Sequence, residues 1–240
     1  MTKELIIIAA AGWKGSGRNA KAPQGPDICY PLANCPEPFL PIGNGETVLS
    51  RLVRQFSDLG FQDFAIGIAE PEYQVANITP WTDELAKYAA QFGEVITIPD
   101  LHHHTNWHTT ATVFEKCRQG YDAALILFGD YVFSNKFARL VAAMPRPSEI
   151  LMHQPNKGST MFWLDTVIGD VFIEKAWRDW DDSLAVRIER SIAMKQALRG
   201  AGMPSILLGQ FWNCKGFRWR DVDTPLSYKS ILGQIANFDK

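Results

Sequence analysis

Leu5-Ile6-Ile7-Ile8-Ala9-Ala10-Ala11-Gly12-Trp13-Lys14-Gly15-Ser16-Gly17-Arg18 is a short apolar run that stops at small residues and glycines. A continuous run of isoleucines without polar alternation suits a strand covered on both faces, as in a parallel α/β sheet. The glycines that follow let the backbone pass close to a ligand with its N–H groups turned inward, and Arg18 adds a fork of donors that fits phosphate oxygens. The stretch therefore reads as a buried strand running into a phosphate-holding loop, with an ordinary glycine-rich βα turn as the alternative.

Working outward, Asn19 to Pro41 holds six prolines and two cysteines and has no helical or strand periodicity, as a long loop over a site would. Leu40 to Thr47 reads as a short extended piece and a turn, with Thr47 placed to cap a helix. Val48, Leu49, Leu52, Val53 and Phe56 recur at helical spacing up to Gly60. Phe64 to Ala69 is a second apolar strand, which makes the opening a βαβ unit and predicts a parallel sheet. A helix over Thr82 to Phe92 and a strand over Val95 to Ile98 repeat the unit. The next helix runs through Ala111, Val113, Phe114 and Cys117, with Thr109 or Thr110 as its expected cap. The histidines 102–104 ahead of it lack the i, i+4 spacing of a zinc site and read better as a polar loop.

Ala123 to Phe128 is the central strand, and it ends abruptly in Gly129-Asp130. Ligands of open α/β sheets sit outside the carboxyl ends of the strands, so Asp130 and Gly12 to Arg18 are expected to face one crevice. Asp130 could instead cap the helix starting near Ser134, a duty for which Ser134 or Asn135 is better placed. Ile150 to His153 and Thr160 to Leu164 flank a turn at Pro155-Asn156-Lys157-Gly158 and read as a hairpin. Residues 165–202 are helical in pattern, and Ile206 to Leu208 restarts a strand. Phe217 to Asp223 alternates as a strand, and Thr224-Pro225 opens a last helix through Tyr228, Ile231 and Ile235. Carboxylates from two distant segments meeting at one sheet edge would suit a hard divalent cation such as magnesium.

Composition narrows the class. A chain of 240 residues fits one large domain, and a net charge of -2 offers no basic field for polyanions, so nucleic acid is disfavoured as a main partner and a small ligand is expected. Cys29, Cys35, Cys117 and Cys214 show neither CxxC pairing nor zinc-ribbon spacing and read as reduced thiols. Without a secretion-type leader or an apolar run of about 20 residues, no membrane role and a cytoplasmic location are expected.

The order of AAAG-to-GSGR loop, LPIGNGETVLSRLV segment, FGD strand end and RDVDTP motif resembles the nucleotidyltransferases that join a nucleoside triphosphate to a sugar phosphate or to a phospho-alcohol such as phosphocholine. The resemblance covers nearly the whole chain. It implies a single three-layer αβα domain over residues 1–240, GT-A-like and Rossmann-related, with a central mostly parallel sheet and the loop 19–41 over the site. It further implies Mg2+ held by Asp130 and Asp223, and release of pyrophosphate. Ala10, Ala11, Gly12, Gly15, Ser16 and Gly17 would contact base and phosphates, Arg18 the triphosphate, and Asn106 and Thr109 the base or acceptor side. The implied partners are a nucleoside triphosphate and a small phosphorylated acceptor; a homo-oligomer stays open.

Two departures from the family pattern stand out. Trp13 and Lys14 lengthen the glycine loop by about two residues. Where the family has a Pro-Lys pair ahead of the LPIG-like segment, this chain has Pro38-Phe39, leaving Lys14 or Lys21 as candidate replacements for the lysine. Two other readings follow: a nucleotide-sugar glycosyltransferase using Asp221-Val222-Asp223, and a nucleotide-binding regulatory module without chemistry, suggested by Phe39. Trp107, Trp163, Trp212 and Trp219 are candidates for caging a trimethylammonium group.

Overall fold

The computed structural model describes residues 2–10, 37–69, 83–98, 106–154, 157–178, 193–207, 219–222 and 225–239. The first strand, β1 (Glu4–Ala9), has both faces covered: Leu5 and Ile7 enter one apolar cluster, Ile6 and Ile8 another on the opposite side, and all four are 2% exposed or less. Burying a side chain of this size contributes about 2 kcal/mol, which explains why a run with no polar alternation occupies the middle of the molecule. The helix α1 (Val48–Ser57) begins with a reciprocal cap, Thr47 Oγ1 accepting from Ser50 N at 3.1 Å and Ser50 Oγ from Thr47 N at 2.8 Å. Ahead of it, β2 (Pro41–Gly43) and β3 (Glu46–Thr47) form a hairpin whose turn holds Gly43, Asn44 and Gly45 at positive φ. That geometry requires glycine or, with less ease, asparagine.

The chain continues through β4 (Asp63–Ala69), α2 (Asp83–Ala89), β5 (Glu94–Ile98), α3 (Asn106–Cys117) and β6 (Ala123–Phe128). Then come β7 (Tyr131–Phe133), α4 (Asn135–Ala142), β8 (Ser148–Gln154), β9 (Lys157–Asp165), α5 (Thr166–Arg178) and α6 (193–200). The last elements are β10 (Ser205–Leu207), β11 (Trp219–Asp221) and α7 (Pro225–Gln234). Seven strands form one sheet in the order β10-β8-β9-β6-β1-β4-β5, in which β9 alone runs antiparallel to its neighbours. Residues of α1, α4 and α7 pack on one face and residues of α3, α5 and α6 on the other, the expected three-layer arrangement. No helix among the described residues is long and apolar enough to cross a membrane.

Several sequence expectations need correction. The α3 helix begins at Asn106, so Thr109 and Thr110 lie inside it and cannot cap it; Thr110 is buried, and burial of this face outweighs the preference of threonine for helix starts. The hairpin turn is tighter than four residues, because Gln154 already pairs with Lys157 and Lys157-Gly158 belong to β9. Within the 19–41 stretch, Pro38, Phe39 and Leu40 are buried, so its end belongs to the core. Among the described residues the C-terminal strand covers Trp219–Asp221 and lies outside the main sheet; β11 pairs antiparallel with β7 in a ribbon of its own.

Candidate active site

The strand order reverses beside β1. The chain passes from β1 to β4 and β5 on one side, then returns to β6 on the other. Such a reversal leaves a crevice where two consecutive loops part, the usual ligand position in this kind of sheet. The segments leaving β1 and β6 are joined at its edge: Gly129 N donates to Ala9 O at 2.9 Å, and Ala10 N donates across to Gly67 O at 2.9 Å. A β-carbon built on Gly129 would meet Pro38 Cγ at 2.9 Å and Ala9 O at 3.1 Å, so glycine is required for this approach.

Asp130 follows directly, partly buried, with its Oδ1 shielded from solvent. The next residues enter the β7–β11 ribbon, in which Tyr131 lies opposite Asp221 and Phe133 opposite Trp219. Val222 N donates to Asp130 O at 2.9 Å and extends the pairing by one step. Two segments some ninety residues apart in the chain are thereby brought side by side, Asp130 against the Asp221-Val222 backbone. Tyr131 and Phe133 are buried and stack at 6.0 Å between centroids, giving the ribbon an apolar underside. Ser134, not Asp130, caps α4: its Oγ accepts from Phe137 N at 3.2 Å. Asp130 is thus released from capping duty.

Of the other candidates, Ala10 is fully buried at the end of β1. Asn106 and Thr109 occupy the first turns of α3. Ala11, Gly12, Gly15, Ser16, Gly17, Arg18 and Asp223 lie outside the described residues, as do Lys14, Lys21, Trp212, Cys29, Cys35, Cys214 and histidines 102–104. Phe39 is buried, its ring edge-on to Tyr88 at 6.0 Å, while the Tyr88 hydroxyl lies 3.1 Å from Thr47 Oγ1. The position supplies packing where a lysine would supply charge. Trp163 is not a ligand cage but core: it is fully buried, donates from Nε1 to Val141 O at 2.9 Å, and carries the Arg146 guanidinium 3.9 Å over its ring. Among the described residues no group of three or more histidine, cysteine, aspartate or glutamate side chains gathers to hold a metal.

One cluster was missed from the sequence. Arg51 is only 3% exposed, and its guanidinium reaches Phe133 O, Asp239 and Glu46. Gln55 Nε2 donates to the same carbonyl at 2.9 Å and to Asn135 Oδ1 at 2.9 Å. The available signal was spacing, since Arg51 and Gln55 stand at i and i+4 within the stripe that also holds Val48, Leu52 and Phe56.

No family model matches the chain, and no curated protein matches it in sequence. Solved structures do match. The 4-diphosphocytidyl-2C-methyl-D-erythritol synthase from Anaerococcus prevotii superposes with a TM-score of 0.58 at 12% identity over 98% of this chain and 96% of its own. Rv0371c from Mycobacterium tuberculosis gives 0.56 at 13% identity over 97% and 98%, and a second structure of it is a complex with manganese, at 0.53. The inositol-1-phosphate CTP transferase from T. maritima gives 0.52 at 10% identity over 100% and 98%. The fold is therefore nucleotide-diphospho-sugar-transferase-like, shared over the full length of the chain with nucleotidyltransferases of known structure. At these identities the likeness is one of fold.

Proposed function

We propose that residues 1–240 form a single nucleotidyltransferase domain that joins a nucleoside triphosphate to a sugar phosphate or similar small phosphorylated metabolite, releasing pyrophosphate. The observation that carries the reading is the hydrogen bond from Val222 N to Asp130 O, which sets the FGD strand end beside the Asp221-Val222 backbone. The manganese in the Rv0371c complex and the nucleotidyltransferases that share the fold support it.

The donor set fits a hard divalent cation, since aspartate oxygens are what Mg2+ or Mn2+ prefers. Asp130 and Asp223 would hold it, with Asp221 as a neighbouring carboxylate. When bound, the metal supplies positive charge to the phosphate oxygens as they gain negative charge. Gly12 to Gly17 would cradle the triphosphate with backbone N–H groups, and Arg18 would balance its charge. Asn106 and Thr109 would line the base or acceptor side. An acceptor phosphate oxygen attacks the α-phosphorus, a P–O bond forms there, and the bond to the bridging oxygen breaks with its electron pair leaving on pyrophosphate. The attacking oxygen carries no proton near neutral pH, so the protein needs to orient and neutralise but not to act as a base.

Pyrophosphate release tests this directly, with each common nucleoside triphosphate set against sugar 1-phosphates and phosphocholine in the presence of Mg2+ or Mn2+. A responding pair identifies base and acceptor together. The burial of Phe39 in place of a charged side chain favours a second reading, a nucleotide-binding module without transfer; nucleotide binding with no pyrophosphate from any pair would select it. Turnover of a nucleotide-sugar without free triphosphate would select a glycosyltransferase.

A further inference from the structure

We propose that Arg51, acting with Asp239, is a positioning residue for Asp130, holding the β7–β11 ribbon in the register that the site requires; the inference rests on the nucleotidyltransferase reading above. Its guanidinium donates from Nε and Nη2 to Phe133 O at 3.2 and 3.0 Å, and Nη2 lies 2.8 Å from each carboxylate oxygen of Asp239. Nη1 lies 3.4 Å from Glu46 Oε2. Phe133 closes β7 opposite the first residue of β11, while the other end of the same ribbon is the Val222–Asp130 hydrogen bond. One end of the ribbon is therefore anchored on Arg51, and the other end presents the candidate carboxylate.

A ribbon of two three-residue strands does not hold its own register in water, and a slip by one residue would move the β7 residues, Asp130 ahead of them included, out of step with β11. The anchor holds β7 directly and the end of the chain beyond α7. Arg51 grips β7 through Phe133, and it grips the segment downstream of β11 through Asp239, which also accepts from Asn135 N at 2.8 Å at the start of α4. Ahead of Asp239, Tyr228 of α7 donates to Pro41 O, and Ile231 and Phe238 are buried, so α7 and the turn after it are fastened to the core. A buried arginine is a poor device for stability alone, because removing its charge from water offsets most of what its partners return. Its planar fork does provide fixed directions, which an apolar side chain of the same volume lacks.

The test compares Arg51→Met, Arg51→Lys and Asp239→Asn with the unaltered protein. Mn2+ binding is followed by electron paramagnetic resonance of free Mn2+ in the presence of a nucleoside triphosphate, alongside thermal unfolding and kcat and KM. Asp130→Asn serves as the control for the metal reading, and Arg199→Ala, beside the β8–β10 edge of the sheet, as the control for lost stability. Mn2+ affinity is expected to fall roughly tenfold or more in Arg51→Met, as for removal of groups that orient metal-binding carboxylates. Asp239→Asn is expected to weaken binding in the same direction, and Arg51→Lys to retain part of it. In active preparations kcat is expected to fall while the acceptor KM stays. Arg199→Ala is expected to melt earlier yet bind Mn2+ normally. Folded Arg51→Met and Asp239→Asn proteins that bind Mn2+ like the unaltered chain would overturn the inference while leaving the site intact; if Arg51→Met does not fold, Asp239→Asn decides. If the unaltered protein binds no Mn2+, or Asp130→Asn binds it equally well, the metal reading itself falls and the inference with it.

Discussion

Asp130 stands two residues past an apolar strand, and exchanging its carboxylate for an amide removes charge and keeps shape. If Asp130 holds the cation proposed above, Asp130→Asn is expected to keep the native circular dichroism and lower kcat by about 10²–10³-fold, the size of effect seen when one electrostatic contribution to the transition state is lost. Full activity in this variant would remove Asp130 from the site. Phe39 poses the opposite question. It is 5% exposed and packed on Tyr88, so a lysine there would bury an ammonium group in the apolar cluster. Phe39→Lys is expected to cost about 3 kcal/mol in urea unfolding and to restore no activity, because the position faces packing rather than the crevice. Cys117 adds a pH dependence. Desolvation, then the Glu94 carboxylate, pushes its thiol from 9.0 up to about 11. The folded chain then holds this proton where the unfolded chain has lost it, so stability is full below pH 9 and declines as pH rises toward 11. Urea midpoints taken from pH 8 to 11 are expected to fall for the native chain and to fall less for Cys117→Ala.

At the scale of elements, the sequence was most legible where one local rule decides the outcome. The Thr47 cap, the apolar stripe of α1 and the stop at Gly60 are each written within a few residues, and the structure reproduces them, adding Ser50 as the reciprocal partner of the cap. The start of α3 was not legible, because Thr110, which suggests a cap locally, is buried inside the helix that packs on β1 and β4. Element docking can involve charge as well as apolar contact. Glu149 on β8 is fully buried, accepting from Arg199 Nε of α6 at 2.6 Å and from Ser205 Oγ of β10 at 2.5 Å. Desolvation of the adjacent Lys195 pushes that ammonium down, so Arg199 is the firmer counter-charge. Arg199 is 44% exposed and solvent screens part of the attraction, so Arg199→Ala is expected to cost about 2 kcal/mol. Adding Glu149→Leu to it should recover much of the loss in urea unfolding, since the uncompensated buried carboxylate is then gone. A double variant less stable than Arg199→Ala would show that the carboxylate seats α6 by another contact.

For the whole molecule, the sheet was readable because β1, β4 and β6 are continuous apolar runs, and such runs demand cover on both faces. The β7–β11 ribbon was not readable, since no local pattern says that Tyr131 will pair with Asp221 or that Arg51 will find Asp239. These long-range pairings are what bring Asp130 beside Asp221-Val222, so the candidate residues were visible in the sequence as separate pieces without their geometry. If the pieces act as one site, ligand binding should stabilise the fold as a unit. A nucleoside triphosphate with Mn2+ at about 100 times the dissociation constant is expected to add about 2.7 kcal/mol, because only the native state binds. For a chain of this size that corresponds to a rise in Tm of about 5–10 °C in differential scanning fluorimetry. Chelation of the metal should remove most of the rise, and Asp130→Asn should behave with metal as the native chain behaves without it. A nucleotide-induced rise of equal size in the presence of a chelator would mean that the glycine loop binds phosphate unaided and that the carboxylates serve another purpose.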